Sequence, residues 1–352
     1  MVSAFLTENA PNKTKLKHGV VFKENKFTEP KENQSIVQIR AASFNHRDVW
    51  ILNGVYPSVE YGSILGSDAV AYITKSNSEN LSVGQRVLIN PGYGWKSDPR
   101  GPEDKFYILG LPPTMGTMTE EPIAVDNDEL VSCPEHLTHA EAASLPLAGL
   151  TAYRALFTQS LVREGDYVLI TGIGGGVALF ALQFAVAIGA HVYVTSSSQE
   201  KIDKAIKMGA KGGVNYKNEN FIDELKHQLN GNKLSAIVDG AGGPLYAALP
   251  ELMRPGGIIA NYGHTATPEG VTFNMDHVRE NLVWKGSTMG SRREFIEMVK
   301  LVEEKKIKPV VSHVWSGLNS DTFDKAINVM NNGHQFGKIV LEFNEHLDKN
   351  KS

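Results

Sequence analysis

A run of glycines in the middle of the chain carries the clearest chemical signal in the sequence. Four of the five residues from 172 to 176 are glycine, and they follow the apolar segment Tyr167–Ile170. Apolar residues then recur at helical spacing up to about Gly189, which predicts a strand, a glycine turn and a helix. Glycines let backbone N–H groups approach a pyrophosphate, and the start of a helix favours negative charge. The segment is therefore predicted to bind a dinucleotide. A strict G-x-G-x-x-G fails at Val177, and a glycine-rich turn without a ligand is the alternative.

The sequence around this turn repeats the same alternation of elements. A second strand-like run, His191–Thr195, is followed by an amphipathic segment, and two more runs follow at Ala236–Asp239 and Gly257–Asn261. Strands that alternate with helices predict a doubly wound parallel sheet. Ligands bind such sheets at the carboxyl ends of the strands. We therefore expect the residues that follow these strands to contact the ribose and nicotinamide of a cofactor, largely through backbone atoms.

The end of the second strand indicates which nicotinamide cofactor is used. NAD sites place a carboxylate about 20 residues after the glycine turn, whereas this chain has Ser196 and Ser197 there, with Lys201 one helical turn later. Small hydroxyls and a lysine favour a 2′-phosphate, so NADPH is predicted over NADH. The alternative is that residues 197–200 form only a helix capping box. The predicted cofactor contacts in this half are Gly172, Gly174, Gly175, Gly176, Val177, Ser196, Ser197, Lys201, Asp239, Tyr262 and Gly263.

The composition is that of a globular protein with two domains. The chain has 352 residues, of which 41% are hydrophobic and 21% charged, and the net charge is -4. That charge gives no reason to expect nucleic acid or an anionic membrane as a partner, and no apolar run approaches the length of a membrane span. A single cysteine, Cys133, excludes an internal disulfide and is typical of a reducing compartment. With no signal peptide recognised at the N-terminus, we expect a cytoplasmic protein.

The remaining segments predict a second domain rich in strands. Strand-like segments fill the first 90 residues, residues 90–120 are irregular and rich in Pro and Gly, and helix and strand patterns return after residue 290. We expect residues 1–148 and 288–352 to form one domain and residues 149–287 the dinucleotide-binding domain.

The order of these elements resembles the medium-chain dehydrogenase/reductase superfamily, and the resemblance covers nearly the whole chain. It is closest to the zinc-free quinone oxidoreductase branch and to fungal zinc-type alcohol dehydrogenase-like proteins. It implies an α/β protein in which a Rossmann domain accompanies a GroES-like, partly open β-barrel catalytic domain, and it implies a homodimer. The motifs that carry it are residues 53–57, 65–68, 147–153, 175–177, 238–240, 254–257 and 336–340.

Zinc ligands are missing at the positions where the zinc alcohol dehydrogenases have them. By the resemblance, Asn45 stands at one ligand cysteine, Ser67 at the ligand histidine, and residues 147–150 contain no cysteine. The segment of the structural zinc lobe, residues 91–111, has none either. Zinc needs three or four converging Cys, His or carboxylate groups. We therefore predict no zinc, with His46 and Asp68 as the residual candidate ligands, and expect Asp68 to hold the turn by hydrogen bonds.

A site without a metal must polarise a carbonyl by hydrogen bonds, which favours hydride transfer to a quinone or an α,β-unsaturated carbonyl. The resemblance assigns Asn45 and Tyr56 to the nicotinamide end. On chemical grounds we predict Tyr56 as the donor of a hydrogen bond or proton to the developing enolate, and His46 as a proton relay. A loop tyrosine packed beside Pro57 and a histidine that caps the turn are the alternatives. The resemblance also puts Tyr216 in the 2′-phosphate pocket. Lys338 is predicted near the nicotinamide, or else simply starts a strand. The predicted substrate pocket includes Trp50, Trp95 and Met289.

The sequence thus predicts a zinc-independent, NADPH-dependent oxidoreductase that acts on a small carbonyl or quinone substrate. Two alternatives stay open. One is an aldehyde or ketone reductase that uses the same hydride, and the other is an NADPH-binding protein with little turnover.

Overall fold

The protein was analysed as a computed structural model, which describes residues 1–10, 16–26, 29–264 and 273–343. The chain forms two compact units. One consists of Met1–Ala148 together with the chain from Ser291 onward, and the other is Gly149–Gly290. No helix within the described ranges has the length and apolar character needed to cross a bilayer.

The first part of the chain is built mainly from strands, as its alternating apolar pattern predicts. Its elements are β1 (Ser3–Thr7), β2 (Gly19–Lys23), β3 (Gln34–Ser43), α1 (His46–Leu52), β4 (Asp68–Lys75), β5 (Arg86–Ile89), β6 (Gly92–Tyr93), β7 (Tyr107–Ile108), β8 (Ile123–Asp126), β9 (Leu130–Ser132), α2 (His139–Ser144) and α3 (Pro146–Tyr153). The proline at residue 146 starts a helix because its fixed φ suits the first helical position, where no N–H is needed. The helix α3 runs on into a π-helical turn, Arg154–Gln159.

The second unit is a parallel sheet whose strands alternate with helices. Its elements are β10 (Tyr167–Ile170), α4 (Gly176–Ala187), β11 (His191–Ser196), α5 (Gln199–Lys207), β12 (Gly212–Asn215), α6 (Phe221–Leu229), β13 (Leu234–Asp239), α7 (Leu249–Leu252), β14 (Met253–Asn261), α8 (Met275–Arg279) and β15 (Val283–Gly286). The strand order is β12-β11-β10-β13-β14-β15 and every pair is parallel. The order reverses at β10, so its carboxyl end is the topological switch point where ligands bind in such sheets.

The chain then returns to the first unit through four elements: α9 (Arg292–Glu304), β16 (Val311–Ser316), α10 (Ser320–Asn331) and β17 (Lys338–Glu342). They extend a seven-stranded sheet of order β16-β17-β3-β4-β5-β9, in which β8 also pairs with β3. Ser43 at the end of β3 faces Val340 of β17 on one side and Asp68 of β4 on the other. The pairing therefore brings the start of β17 and the start of β4 to the end of β3. The predicted α/β class, with a Rossmann sheet and a GroES-like domain, is confirmed.

Candidate active site

The turn between β3 and α1 is stabilised by hydrogen bonds to its own side chains. Asn45 is the residue before α1, is 7% exposed, and its backbone N–H donates to Asp48 Oδ2 at 2.8 Å. Burial raises the pKa of Asp48 above its usual value, while the charge of Arg47 opposes that rise. The turn is thus a rigid platform rather than a flexible connection.

A buried lysine from β17 reaches this turn. Lys338 Nζ donates to Phe44 O at 2.7 Å and to Asn45 Oδ1 at 2.6 Å, and it forms an ion pair with Asp68 Oδ2 at 2.9 Å. The Lys338 and Asp68 side chains are 4% and 0% exposed. An ammonium group has three hydrogens to donate, and all three are used. The predicted contact of Lys338 with a nicotinamide would therefore have to compete with these bonds.

Asp68 is the centre of this cluster, as the sequence predicted for a residue that holds the turn. Its Oδ2 also accepts from Ser43 Oγ and from Asn45 Nδ2, both at 2.9 Å, while its Oδ1 accepts from the Leu147 backbone N–H at 2.7 Å. Asn45 Nδ2 further reaches Ser67 Oγ at 3.3 Å. Each buried polar atom named here has a partner, which is the condition for such a network to stabilise a fold.

The donor atoms of this cluster can be compared with those that bind a catalytic zinc. The structure does bring Asn45, Ser67 and the chain at Leu147 together, but an amide, a hydroxyl and a backbone N–H are not the thiolate and imidazole ligands that zinc prefers. The carboxylate of Asp68 is already neutralised by an ammonium ion. Within the described ranges, no group of three or more His, Cys, Asp or Glu side chains is arranged to hold a metal. The donor set here does not fit a zinc ion.

The other predicted catalytic residues lie along or just after α1. His46 is exposed, its ring meets Trp50 edge to face at 5.1 Å, and desolvation by nearby protein atoms lowers its pKa. Tyr56 is half-buried, and the guanidinium of Arg47 lies 5.2 Å from its ring centre. Arg47 donates through Nη1 to Leu109 O at 2.5 Å. Sequence reasoning did not identify Arg47, because its hydrogen-bond partner is a backbone carbonyl 62 residues away.

The irregular segment from residue 90 to 120 is well organised. Trp95 is 3% exposed, donates to Asp98 O at 2.8 Å and packs edge to face on Phe106. The carboxylate of Glu103 accepts from three successive backbone N–H groups, Lys96 to Asp98, at 2.6, 2.6 and 2.7 Å. Desolvation alone would raise the pKa of Glu103, but these bonds outweigh it and hold that pKa at about 2. In this structure Trp95 fills the interior of its own loop, and its place in a substrate pocket stays a prediction.

In the second unit, the glycine turn has the backbone geometry of a phosphate cradle. Gly172 and Gly174 have φ of +66° and +122°, values that residues with a side chain rarely adopt. Gly175 precedes α4 and has no side-chain cap, so the first N–H groups of that helix face outward without a side-chain acceptor. A Cβ added at Gly175 would meet only Gly172 O, at 3.9 Å. The space above the turn is therefore open, as backbone approach to a pyrophosphate requires.

Lys201 lies directly across this turn. A Cβ added at Gly174 would come within 2.9 Å of Lys201 Cδ and 3.3 Å of Nζ. Partial burial, helped by nearby Lys204, lowers the pKa of Lys201. Tyr216, at the end of β12, is 40% exposed, and its N–H donates to Ser196 O at 3.0 Å. The structure thus brings Lys201 to the glycine turn and Tyr216 to the end of β11.

The capping of α5 corrects one detail of the sequence interpretation. The cap is Ser198, whose Oγ accepts from the Lys201 N–H at 3.4 Å, and not Ser197 with Glu200. The helix starts one residue later than the capping-box pattern predicted. Ser197 is therefore not used as the cap, while Ser196 Oγ accepts from the Ser198 N–H at 3.2 Å.

Asp239 ends β13 and organises the neighbouring loop. It is 1% exposed and accepts from Thr171 Oγ1 at 2.5 Å, from Asn261 Nδ2 at 2.7 Å and from the hydroxyl of Tyr246. It also accepts from the N–H groups of Ala241 and Gly242 at 3.1 and 3.2 Å. The carboxylate of Asp239 is engaged by hydrogen bonds from the protein itself. Asp239 therefore shapes the cofactor edge of the sheet and does not offer a free carboxylate.

Three predicted residues of this unit remain. Tyr262 and Gly263 directly follow β14 at the same edge of the sheet, and Met289 lies at the end of the unit. Tyr262 donates its N–H to Asp239 O at 2.8 Å, and its ring covers Gly240, where an added Cβ would clash with it. Gly263 O accepts from Asn261 Nδ2 at 3.1 Å. Met289 is 5% exposed, in a left-handed conformation with φ of +46°, and its sulfur lies 4.0 Å from Thr151 Oγ1. Tyr262 and Gly263 thus lie beside the Asp239 loop, and Met289 contacts Thr151.

Comparison with known proteins agrees with this architecture. Residues 31–135 match the model of the alcohol dehydrogenase GroES-like domain, and residues 176–304 match that of the zinc-binding dehydrogenases. The chain is 39% identical to the zinc-type alcohol dehydrogenase-like protein YogA of Leptosphaeria maculans over 328 residues, covering 89% of this chain and 91% of that protein. It is 26% identical to the quinone oxidoreductase of Pseudomonas aeruginosa, covering 78% and 79%.

Solved structures and a further relative lead to the same conclusion. A crystal structure of an NAD-dependent alcohol dehydrogenase superposes with a TM-score of 0.85 at 29% identity, covering 97% of this chain and 99% of that one. An acryloyl-coenzyme A reductase of Metallosphaera sedula is 27% identical and covers 92% and 97%. The chain belongs to the medium-chain dehydrogenase/reductase superfamily and is an oxidoreductase, and its relatives include zinc-type alcohol dehydrogenase-like proteins and quinone oxidoreductases.

Proposed function

We propose that the protein is a zinc-independent, NADPH-dependent oxidoreductase that delivers hydride to a quinone or an α,β-unsaturated carbonyl compound. The observation that carries the proposal is Lys201, which lies across an open glycine turn beside a strand end that has hydroxyls and no carboxylate. Relatives named quinone oxidoreductase and acryloyl-coenzyme A reductase support the substrate class.

The residues of the second unit suit a phosphorylated dinucleotide. The open backbone at Gly172 and Gly175 and the start of α4 would hold the pyrophosphate. Lys201, Ser196, Ser197 and Tyr216 would surround the 2′-phosphate, while the loop shaped by Asp239 would face the ribose. Bound NADPH would supply the hydride.

In the first unit, Tyr56 is our candidate for the proton donor. It is half-buried, and the described residues offer its hydroxyl no hydrogen-bond partner, so that hydroxyl is available to a substrate oxygen. Desolvation lowers the pKa of His46 and so favours its neutral imidazole, which can both accept and donate a proton. Asn45 is fully engaged with Lys338, Asp68 and Ser67, so its role would be to hold the turn. Trp50 and Trp95 remain our proposed pocket residues of this unit.

The function is tested by following NADPH oxidation with one quinone, one enone and one saturated aldehyde. We expect the quinone or the enone to be reduced faster than the aldehyde, because the site offers hydrogen bonds and no metal to a carbonyl oxygen. Preferential reduction of the aldehyde would favour the alcohol dehydrogenase-like alternative. Tight NADPH binding with no turnover of any of the three would favour a binding protein.

The assignment of Lys201 predicts a change in cofactor preference. Lys201→Gln should weaken NADPH binding about 10- to 100-fold, since a charge-assisted hydrogen bond to phosphate contributes about 1.5–3 kcal/mol. NADH affinity should change little. Lys204→Gln is the matched control, because Lys204 pairs with Glu200 at 2.7 Å on the exposed helix surface. Fluorescence titration of both variants with NADPH and with NADH measures these affinities. An equal loss of NADPH and NADH affinity in Lys201→Gln would contradict a 2′-phosphate contact.

We further propose a homodimer joined at the open edge of the parallel sheet. The edge strand β15 carries Val283, 39% exposed, next to α8 with Met275 and Val278, 67% and 50% exposed. An unpaired edge with apolar side chains is a template for pairing with a second copy. Val283→Lys should shift the protein to monomer in analytical ultracentrifugation, while Val83→Lys, at an equally apolar and 60% exposed position, should not. A wild-type monomer at micromolar concentration would contradict the proposal.

The reducing compartment expected from the sequence agrees with the state of Cys133, which is buried and whose pKa burial raises to about 11. A thiol of that kind is inert. We propose a cytoplasmic location, which imaging of a fluorescent fusion would test.

A further inference from the structure

Three segments far apart in the sequence meet at the Lys338 ammonium or at its ion-pair partner. They are the end of β3 with Asn45, the start of β4 with Asp68, and the chain at Leu147. By the resemblance, the zinc-dependent members of the superfamily have their ligands at the positions of Asn45, of Ser67 next to Asp68, and of residues 147–150. In this chain they converge on an ion pair that the protein supplies from its own side chains.

The ammonium ion fixes the orientation of the Asn45 amide. Because Asn45 Oδ1 accepts from Lys338 Nζ at 2.6 Å, the amide Nδ2 must face Asp68 Oδ2 and Ser67 Oγ. A flipped amide would turn its NH2 group toward the ammonium and its oxygen toward the Asp68 carboxylate, so both of those contacts would be lost. The backbone of the turn is held in the same way, because Phe44 O is the third acceptor of Lys338.

The ammonium ion of Lys338 is also the counter-ion of a buried carboxylate. Asp68 is fully buried, and an isolated carboxylate in that position would be strongly disfavoured. With the ammonium present, the carboxylate can accept from Ser43, Asn45 and the Leu147 N–H at once. Removing the lysine would leave a buried charge without its counter-ion, while removing both charges would leave neutral groups.

We propose that Lys338 is a positioning residue, whose buried ammonium ion fixes the Asn45 turn and the start of α1 at the place where zinc-dependent relatives hold their metal. This inference depends on the proposed function, because α1 and the segment after it carry the proposed proton relay His46 and proton donor Tyr56. It differs from the prediction that Lys338 contacts the cofactor, and the two give different results in a binding experiment.

The test compares Lys338→Met with the double variant Lys338→Met/Asp68→Asn, in the full-length protein. For each we would measure the thermal midpoint, the NADPH dissociation constant, and kcat and KM with the best substrate of the panel. Lys325→Met is the control, since Lys325 forms an exposed ion pair with Asp321 on α10.

We expect Lys338→Met to lower the thermal midpoint and to reduce kcat about 10- to 100-fold, the size of effect that a small misplacement of reacting groups produces. The double variant should recover only part of the thermal midpoint, because the uncompensated charge is gone but the new amide has one acceptor oxygen in place of two. It should not recover kcat, because Asn45 Oδ1 still lacks its cation. NADPH affinity should stay within about twofold in both, since no cofactor contact is lost. If Lys338→Met does not fold, the kcat of the double variant alone tests the positioning role of Lys338.

Full kcat in the double variant would overturn the proposal, because Lys338 would then only balance the charge of Asp68. A loss of NADPH affinity would overturn it as well, by placing Lys338 at the cofactor. Failure of the proposed function is distinguishable, because the wild-type protein itself would then reduce no substrate.

Discussion

Gly175→Val should abolish tight NADPH binding while the protein folds normally. The backbone of Gly175 has φ of -75° and ψ of 155°, which valine adopts readily. A Cβ at this position meets no protein atom closer than 3.9 Å. The new side chain would instead fill the open space over the turn, where the pyrophosphate must approach the backbone. We expect at least about a 100-fold loss of affinity, which corresponds to about 2.7 kcal/mol.

This result would be measured by isothermal titration with NADPH, together with a thermal melt of the unliganded variant. Gly101→Val is the matched control, because a Cβ at Gly101 also meets nothing within 4 Å but lies in the 90–120 segment of the other unit. A Gly175→Val protein that binds NADPH as tightly as the wild type would show that the glycine turn is not the phosphate cradle.

The second large effect is expected at Asp239, where a single carboxylate satisfies several buried donors. Asp239→Ala would leave the hydroxyls of Thr171 and Tyr246 without their acceptor and remove one acceptor of Asn261, at the edge of the sheet where the cofactor is proposed to bind. Each buried polar group left unpaired costs about 1–3 kcal/mol. We therefore expect the free energy of unfolding to fall by about 3–5 kcal/mol.

Chemical denaturation of the unliganded protein measures this loss. Asp239→Asn keeps one oxygen acceptor, so its loss should be smaller, about 1–2 kcal/mol. The surface variant Asp203→Ala, which removes only an exposed hydrogen bond from Gln199 at 2.9 Å, should lose less than about 0.5 kcal/mol. If Asp239→Ala proved as stable as Asp203→Ala, the Asp239 cluster would not be what holds this loop.

The second unit was predictable from sequence because its signals are local. The strand, glycine turn and helix from residue 167 to 187 are contiguous, and the alternation of strands with helices fixes a parallel sheet whose carboxyl ends share one edge. Residues such as Gly175 could be named before the fold was known. The interpretation failed only in detail, where Ser198 rather than Ser197 caps α5, since either serine has the chemistry of a cap.

The cluster around Lys338 could not be predicted in the same way. Lys338 and Asn45 are 293 residues apart, and only the pairing of β17 with β3 brings them together. Sequence reasoning identified Asn45 as a residue of the turn, Asp68 as a residue that holds the turn by hydrogen bonds, and Lys338 as a residue near the nicotinamide. It had no means of placing Lys338 beside the other two. Likewise, the burial of Trp95 within its own loop depends on Glu103, whose backbone partners carry no sequence signal.

The central claim is that this protein binds a phosphorylated nicotinamide dinucleotide at the glycine turn of its parallel sheet. Titration of the wild-type protein with NADPH and with NADH tests it most directly. We predict that NADPH binds at least about tenfold more tightly than NADH, a difference of about 1.4 kcal/mol in binding free energy. Tighter binding of NADH, or no binding of either cofactor, would contradict it.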